Sequence, residues 1–96
     1  MSPINKKKLI LLRVKLDHLD NKLLRLIKKR SILVNEVLKI KVYKKEIIDQ
    51  KRITFILKKI KTKSRKLKID PKITARIWKN MIWTFIDYEK RNFKKK

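Results

Sequence analysis

An uninterrupted apolar seam decides most of what this chain can fold into. Leu9, Leu12, Leu16, Leu19, Leu23, Leu26, Leu33, Val37 and Ile40 recur at alternating steps of three and four, with Arg30 holding the one remaining seam position. That spacing is the stripe of paired helices. Neither Gly nor Pro breaks it, so the seam predicts one long helix ending near Val42, after a frayed lead-in over residues 1–7. A stripe this long needs a partner surface, and the rest of the chain is short. Dimerisation is the natural way to enlarge so small a core.

The seam also carries a cation. Arg30 has Leu26, Leu33 and Val34 around it, and a guanidinium on an apolar stripe is costly unless an anion meets it. Glu36, or an acid on a partner, would serve as a structural counter-ion. A bound anion would serve equally. Lys41 lies three helical turns further on, about 16 Å along the axis and nearly in line, so the two long side chains could close on one small anion. Arg13 lies about 25 Å before Arg30 and a quarter-turn round the helix. It could join such a site only from a second, antiparallel copy of the helix.

Composition narrows the chemistry. Ninety-six residues predict one domain, 1–96. No Cys is present and His18 is the single His, so no thiolate or histidine cluster can hold a metal. No apolar run is long enough for a signal peptide or a membrane span, and the chain reads as cytoplasmic. Thirty-one Lys and Arg against eight Asp and Glu give a formal charge of +23. Such a charge predicts salt-sensitive, non-specific affinity for polyanions. Abundant Lys, Ile and Asn with no Gly point instead to a compositional bias that puts lysine on every solvent face, so no specific nucleic-acid partner follows from charge alone.

Beyond the seam, residues 43–46 break the period and read as a loop. Asp49 suits the cap of a second helix whose inner face is Ile53, Ile56, Leu57 and Ile60. That helix fades through residues 61–66. Asp70-Pro71 is a strong start for a third, with Ile77, Trp78, Met81, Ile82, Phe85 and Glu89 on one face, ending near Phe93 before a basic tail, Lys94 to Lys96. The chain is therefore all-α, with one long and two shorter helices. Glu89 reads two ways: at a fraying helix end, paired with Lys90 or Arg91, or on the inner face. Asp17 and Asp20 near a helix start suit the helix dipole and basic neighbours better than acid–base work. His18 reads as solvated, Trp78 as core and Trp83 as partly exposed.

The run from Arg13 through Asp17, Asp20, Leu23 and Leu24 to Arg30, continued by Leu33, Val34, Glu36, Val37 and Lys41, resembles the opening helix of the all-α chorismate mutases. Ile48-Asp49-Gln-Lys-Arg52 resembles that family's second-helix entrance, and Leu67-Lys-Ile-Asp70-Pro71 the turn before its third helix. The resemblance covers about residues 9 to 92. It implies an intertwined six-helix homodimer of three-helix chains, with long first helices paired antiparallel and each site borrowing one arginine from the other subunit. Arg30 and the partner's Arg13 would grip the two carboxylates of chorismate. Lys41 would contact its ether oxygen and a carboxylate, Asp49 would sit near the ring hydroxyl, and Arg52 would add a polar contact at the rim. Glu89 would face the ether oxygen.

The reaction implied is the rearrangement of chorismate to prephenate for Phe and Tyr synthesis. It is pericyclic and needs no nucleophile, cofactor or metal. Catalysis there means holding a floppy dianion in its reactive shape and stabilising charge on the breaking ether oxygen. A bidentate Arg suits a carboxylate better than Lys does. Glu89 could donate to the ether oxygen only when protonated, which predicts activity falling as pH rises. Two positions depart from the family pattern. Ile53 stands where many members have an acid, and Phe85 where a small polar residue is common. At both, the chain resembles the related isochorismate-pyruvate lyases. The alternatives are that lyase activity, or a non-catalytic basic helical protein that binds nucleic acid.

Overall fold

A computed structural model describes residues 1–94. It contains three α-helices: α1 (Pro3–Ile40), α2 (Gln50–Lys66) and α3 (Pro71–Asn92), with a single 3-10 turn at Lys44–Ile47 between the first two. The all-α expectation therefore holds. Lys95 and Lys96, the end of the expected basic tail, lie outside the described residues. No helix among the described residues is long and apolar enough to cross a membrane. The backbone divides into two compact units, residues 1–33 and 34–96.

The first unit is the greater part of α1. The helix begins at Pro3, so residues 3–7 are helical and not the frayed lead-in that the sequence predicts. Ser2 is the reason. Its Oγ accepts from the Asn5 amide at 3.1 Å, and Pro3 follows at the first helical position. The polar cap followed by Pro is the same start signal found at Asp70-Pro71. The seam is continuous here, but its side chains face water: Leu12, Leu16, Leu19, Leu23 and Leu26 are each 54–58% exposed.

The second unit has its own core. Leu38 at the end of α1, Ile47 in the 3-10 turn, and Ile82 and Ile86 on α3 are buried together, with Ile53, Ile56, Leu57 and Phe93 packed against them. Helix α1 stops at Ile40, two residues sooner than the seam predicts. The Lys41 amide reaches back to the Leu38 carbonyl at 3.2 Å, a tightened last turn that satisfies one of the orphan acceptors of a helix end. The residues expected as plain loop form a closed turn. Glu46 Oε1 accepts from the Tyr43 amide at 2.8 Å and the Val42 amide at 3.3 Å, which drives Ile47 inward.

Helices α2 and α3 pack as a hairpin. Asp49 caps α2, its Oδ1 accepting from the Arg52 amide at 3.0 Å. Asp70 caps α3 through the Lys72 amide at 2.9 Å. The connection between them is a Schellman cap: Ile69 N–H donates to Ser64 O at 2.8 Å and Lys68 N–H to Arg65 O at 3.1 Å. Its left-handed position falls on Lys68, φ 58°, where Gly would carry no steric cost. Just above that turn the buried Ser64 hydroxyl meets Thr74 Oγ1 at 2.8 Å while also donating to Ile60 O. This polar link is satisfied at both ends, so its hydrogen bonds offset the desolvation of the two hydroxyls. The inner face of α3 is rotated slightly from the predicted one. Ile86 and Thr74 are buried and Ile77 is exposed, because the 3-10 turn and α2 approach α3 along the Thr74–Ile82–Ile86–Glu89 stripe.

Candidate active site

The most informative contact in the second unit is between two charged side chains. Lys41 Nζ donates to Glu89 Oε2 at 2.8 Å, with the side chains 16% and 9% exposed. Of the two readings of Glu89, the inner face is the one found. The acid is buried three residues before α3 ends and pairs across the fold, not with Lys90 or Arg91. The local reason is periodic. Glu89 follows Ile82 and Ile86 by seven and three residues on the stripe that faces the core. Lys41 arrives at the same place because α1 stops just before it, and Tyr88 Oη donates to Asn35 Oδ1 at 3.2 Å, tying the last turns of α1 to α3.

An ammonium and a carboxylate taken this far out of water stabilise the fold only while both are present. Removal of one leaves the other desolvated and unpaired. The pair is also a preorganised dipole. An ammonium carries three N–H groups. One is used on Glu89, and the remaining donors are available to an anionic ligand in a site of low dielectric.

Beside this pair lies an open concavity of about 440 Å³, lined by Lys41, Glu46, Ile48, Asp49, Gln50 and Lys51. Lys41 and Asp49, both predicted site residues, are brought to it together. Asp49 keeps one oxygen on the Arg52 amide, so its position is fixed by a cap. Arg52 is exposed, and its guanidinium lies over the Phe55 ring at 5.4 Å, on the solvent side of α2. Phe85 is half-buried on α3. Ile53 is half-buried and packs against the core, so it brings no polar group to the neighbourhood. Arg13 and Arg30 belong to the other unit, both on α1, with Arg13 exposed and Arg30 half-buried on the seam.

Sequence reasoning missed Glu46, Ile48, Gln50 and Lys51 as part of this concavity. An acid three residues after Tyr43 is the signal that could have revealed the Glu46 turn. Ile48 carried none.

Comparison with known proteins adds one finding. The family model for chorismate mutase type II matches residues 12–90. No curated protein and no solved structure matches the chain. The family match runs from the exposed seam through the Lys41–Glu89 pair almost to the end of α3, and with the three-helix fold it settles the family: the chain belongs to the type II chorismate mutases.

Proposed function

We propose that this protein rearranges chorismate to prephenate, on the route to Phe and Tyr, as a single-domain homodimer. The observation that carries the reading is the buried Lys41–Glu89 pair, a donor-rich cation and an acid of the kind that this chemistry calls for. In the reaction the ether C–O bond breaks as a C–C bond forms, and negative charge grows on the ether oxygen. Lys41 Nζ stabilises that charge, and Glu89 orients Lys41 or, protonated, donates to the same oxygen. Arg30, with Arg13 of the partner subunit, clamps the two carboxylates and so selects the compact reactive conformer. Asp49 receives the ring hydroxyl. Arg52 swings from Phe55 to the rim when substrate binds.

The exposed leucine stripe supports the dimer. A soluble chain seldom leaves five consecutive seam leucines in water, and an antiparallel second α1 would cover them while delivering Arg13. A second reading, isochorismate-pyruvate lyase on the same fold, is favoured by Ile53, whose packing into the core leaves its site without an acid.

The test is the ultraviolet loss of chorismate with purified protein, products separated by chromatography. Prephenate well above the spontaneous background is expected, and Arg30→Ala should abolish it. Pyruvate release from isochorismate, with chorismate untouched, would replace this reading with the second.

A further inference from the structure

All eight acids of this chain lie outside α2: three on α1, two on α3 and three in the connections. From Gln50 to Ile69 there are nine Lys or Arg and not one Asp or Glu. Acid-free runs also span residues 1–16, 21–35 and 71–86, so what sets α2 apart is the exposed aromatic among its cations. The apolar side of α2 is already occupied, since Ile53, Ile56 and Leu57 pack into the core. Its opposite side carries Phe55, Lys58, Lys59, Thr62 and Lys66 at spacings of three, four, seven and eleven, which a helix lines up on one face. With Lys63 these residues border a shallow groove of about 310 Å³. Phe55 sits within it 52% exposed, an aromatic with no part in the core. Two cations are held over its ring, the Arg52 guanidinium at 5.4 Å and the Lys59 ammonium at 5.7 Å.

We propose that the outer face of α2 is a docking surface for single-stranded nucleic acid, bound without sequence preference by lysine contacts to phosphates and by a base stacked on Phe55. Charge complementarity selects a polyanion, and the exposed ring among the cations selects one with unpaired bases. A base has a π-face to offer the ring, which a duplex hides and a lipid headgroup lacks. When a base stacks, the displaced cation moves to the adjoining phosphate. The groove follows the helix for three turns, about 16 Å, which spans a few nucleotides.

The test measures anisotropy of a labelled oligothymidylate and of a mixed-sequence single-stranded RNA, using the full chain over a range of salt. One variant replaces Lys58, Lys59, Lys63 and Lys66 with Gln. A control of equal charge replaces Lys7, Lys8, Lys22 and Lys28, all on α1. The α2 variant should bind at least 30-fold more weakly at moderate salt. Its log–log salt slope should be shallower by about 3, since each single-strand phosphate contact contributes roughly 0.7. The control should lose less than threefold. Phe55→Ala should weaken binding about tenfold with the salt slope unchanged, the mark of lost stacking. Turnover of chorismate and helical circular dichroism, unchanged in each variant, confirm folding. Equal losses from the two lysine sets would overturn the proposal, as would an inert Phe55→Ala or a duplex bound as tightly as the single strand. Tighter binding to anionic phosphatidylserine vesicles through the same lysines would overturn it too, and would assign the face to a membrane surface.

Discussion

The two units of this molecule use their apolar residues in opposite ways. In residues 34–96, four side chains from three segments close on one another, and Leu38, Ile47, Ile82 and Ile86 are each at most 7% exposed. In residues 1–33, a longer and more regular apolar stripe stays more than half exposed from Leu12 to Leu26. The more perfect pattern is the less buried one. Regular a/d spacing suits a second straight helix better than it suits the irregular surface of a small hairpin. The core of the second unit, by contrast, draws on positions with no single period, because a turn, a helix end and α3 all contribute to it.

The sharpest way to break this comparison is one substitution in each place. Leu19→Lys should convert a dimer to a monomer by sedimentation and reduce chorismate turnover at least a thousandfold, while the hydrogen-exchange protection of α3 survives. Ile82→Ala should do the reverse. It should cost about 3 kcal/mol through lost burial and a residual cavity, lower α3 protection, and leave the association state intact. If Leu19→Lys remained dimeric and active, the exposed seam would not be the subunit contact.

Next in size is the ion pair. Glu89→Ala leaves the Lys41 ammonium desolvated beside an uncharged side chain and should cost about 3 kcal/mol in denaturant titrations. The polar replacement separates stability from chemistry. If Glu89 orients Lys41, Glu89→Gln keeps an accepting oxygen for the ammonium and should retain more kcat/KM than Glu89→Ala. Equal kcat/KM in the two variants would contradict a role for Glu89 in orienting Lys41.

Smaller effects address the caps. Asp49→Ala removes both the α2 cap and the carboxylate facing the concavity, whereas Asp49→Asn keeps an accepting oxygen. Both should raise KM, but only the first should lose about 1 kcal/mol of stability. Lys68→Gly should gain about 1 kcal/mol by relieving the left-handed residue of the Schellman turn. Smallest of all, the high positive charge should speed encounter with a dianionic substrate, so kcat/KM should decline several-fold between low and high salt with little change in kcat.

Much of the fold was legible because it rests on local signals: the unbroken seam, Asp49, and Asp70-Pro71 all became the elements they announced. Ser2-Pro3 carried the same start signal and was overlooked beneath the lysines that follow. The early end of α1 at Ile40 was not legible, since Lys41 and Val42 continue the helical pattern and only the Glu46 turn pulls them out of it. Ser64 and Thr74 fall outside both expected inner faces, yet both are buried. Their burial depends on meeting each other across the hairpin, a tertiary fact that no periodicity carries. At the candidate site, Glu89 stood out as an acid on an apolar face, but its partner could be any nearby cation until the last turns of α1 met α3.

The most direct measurement asks whether the site needs two copies of the chain. Arg13→Ala and Arg30→Ala should each be inactive alone. Unfolded together and refolded at equal amounts, half of the dimers will be mixed, and each mixed dimer carries one site with both arginines. Prephenate formation should then return to about a quarter of the wild-type rate, as random pairing of two-fold dimers requires. A mixture as inactive as its components, or an Arg13→Ala variant with full activity, would contradict a site completed across the α1 seam.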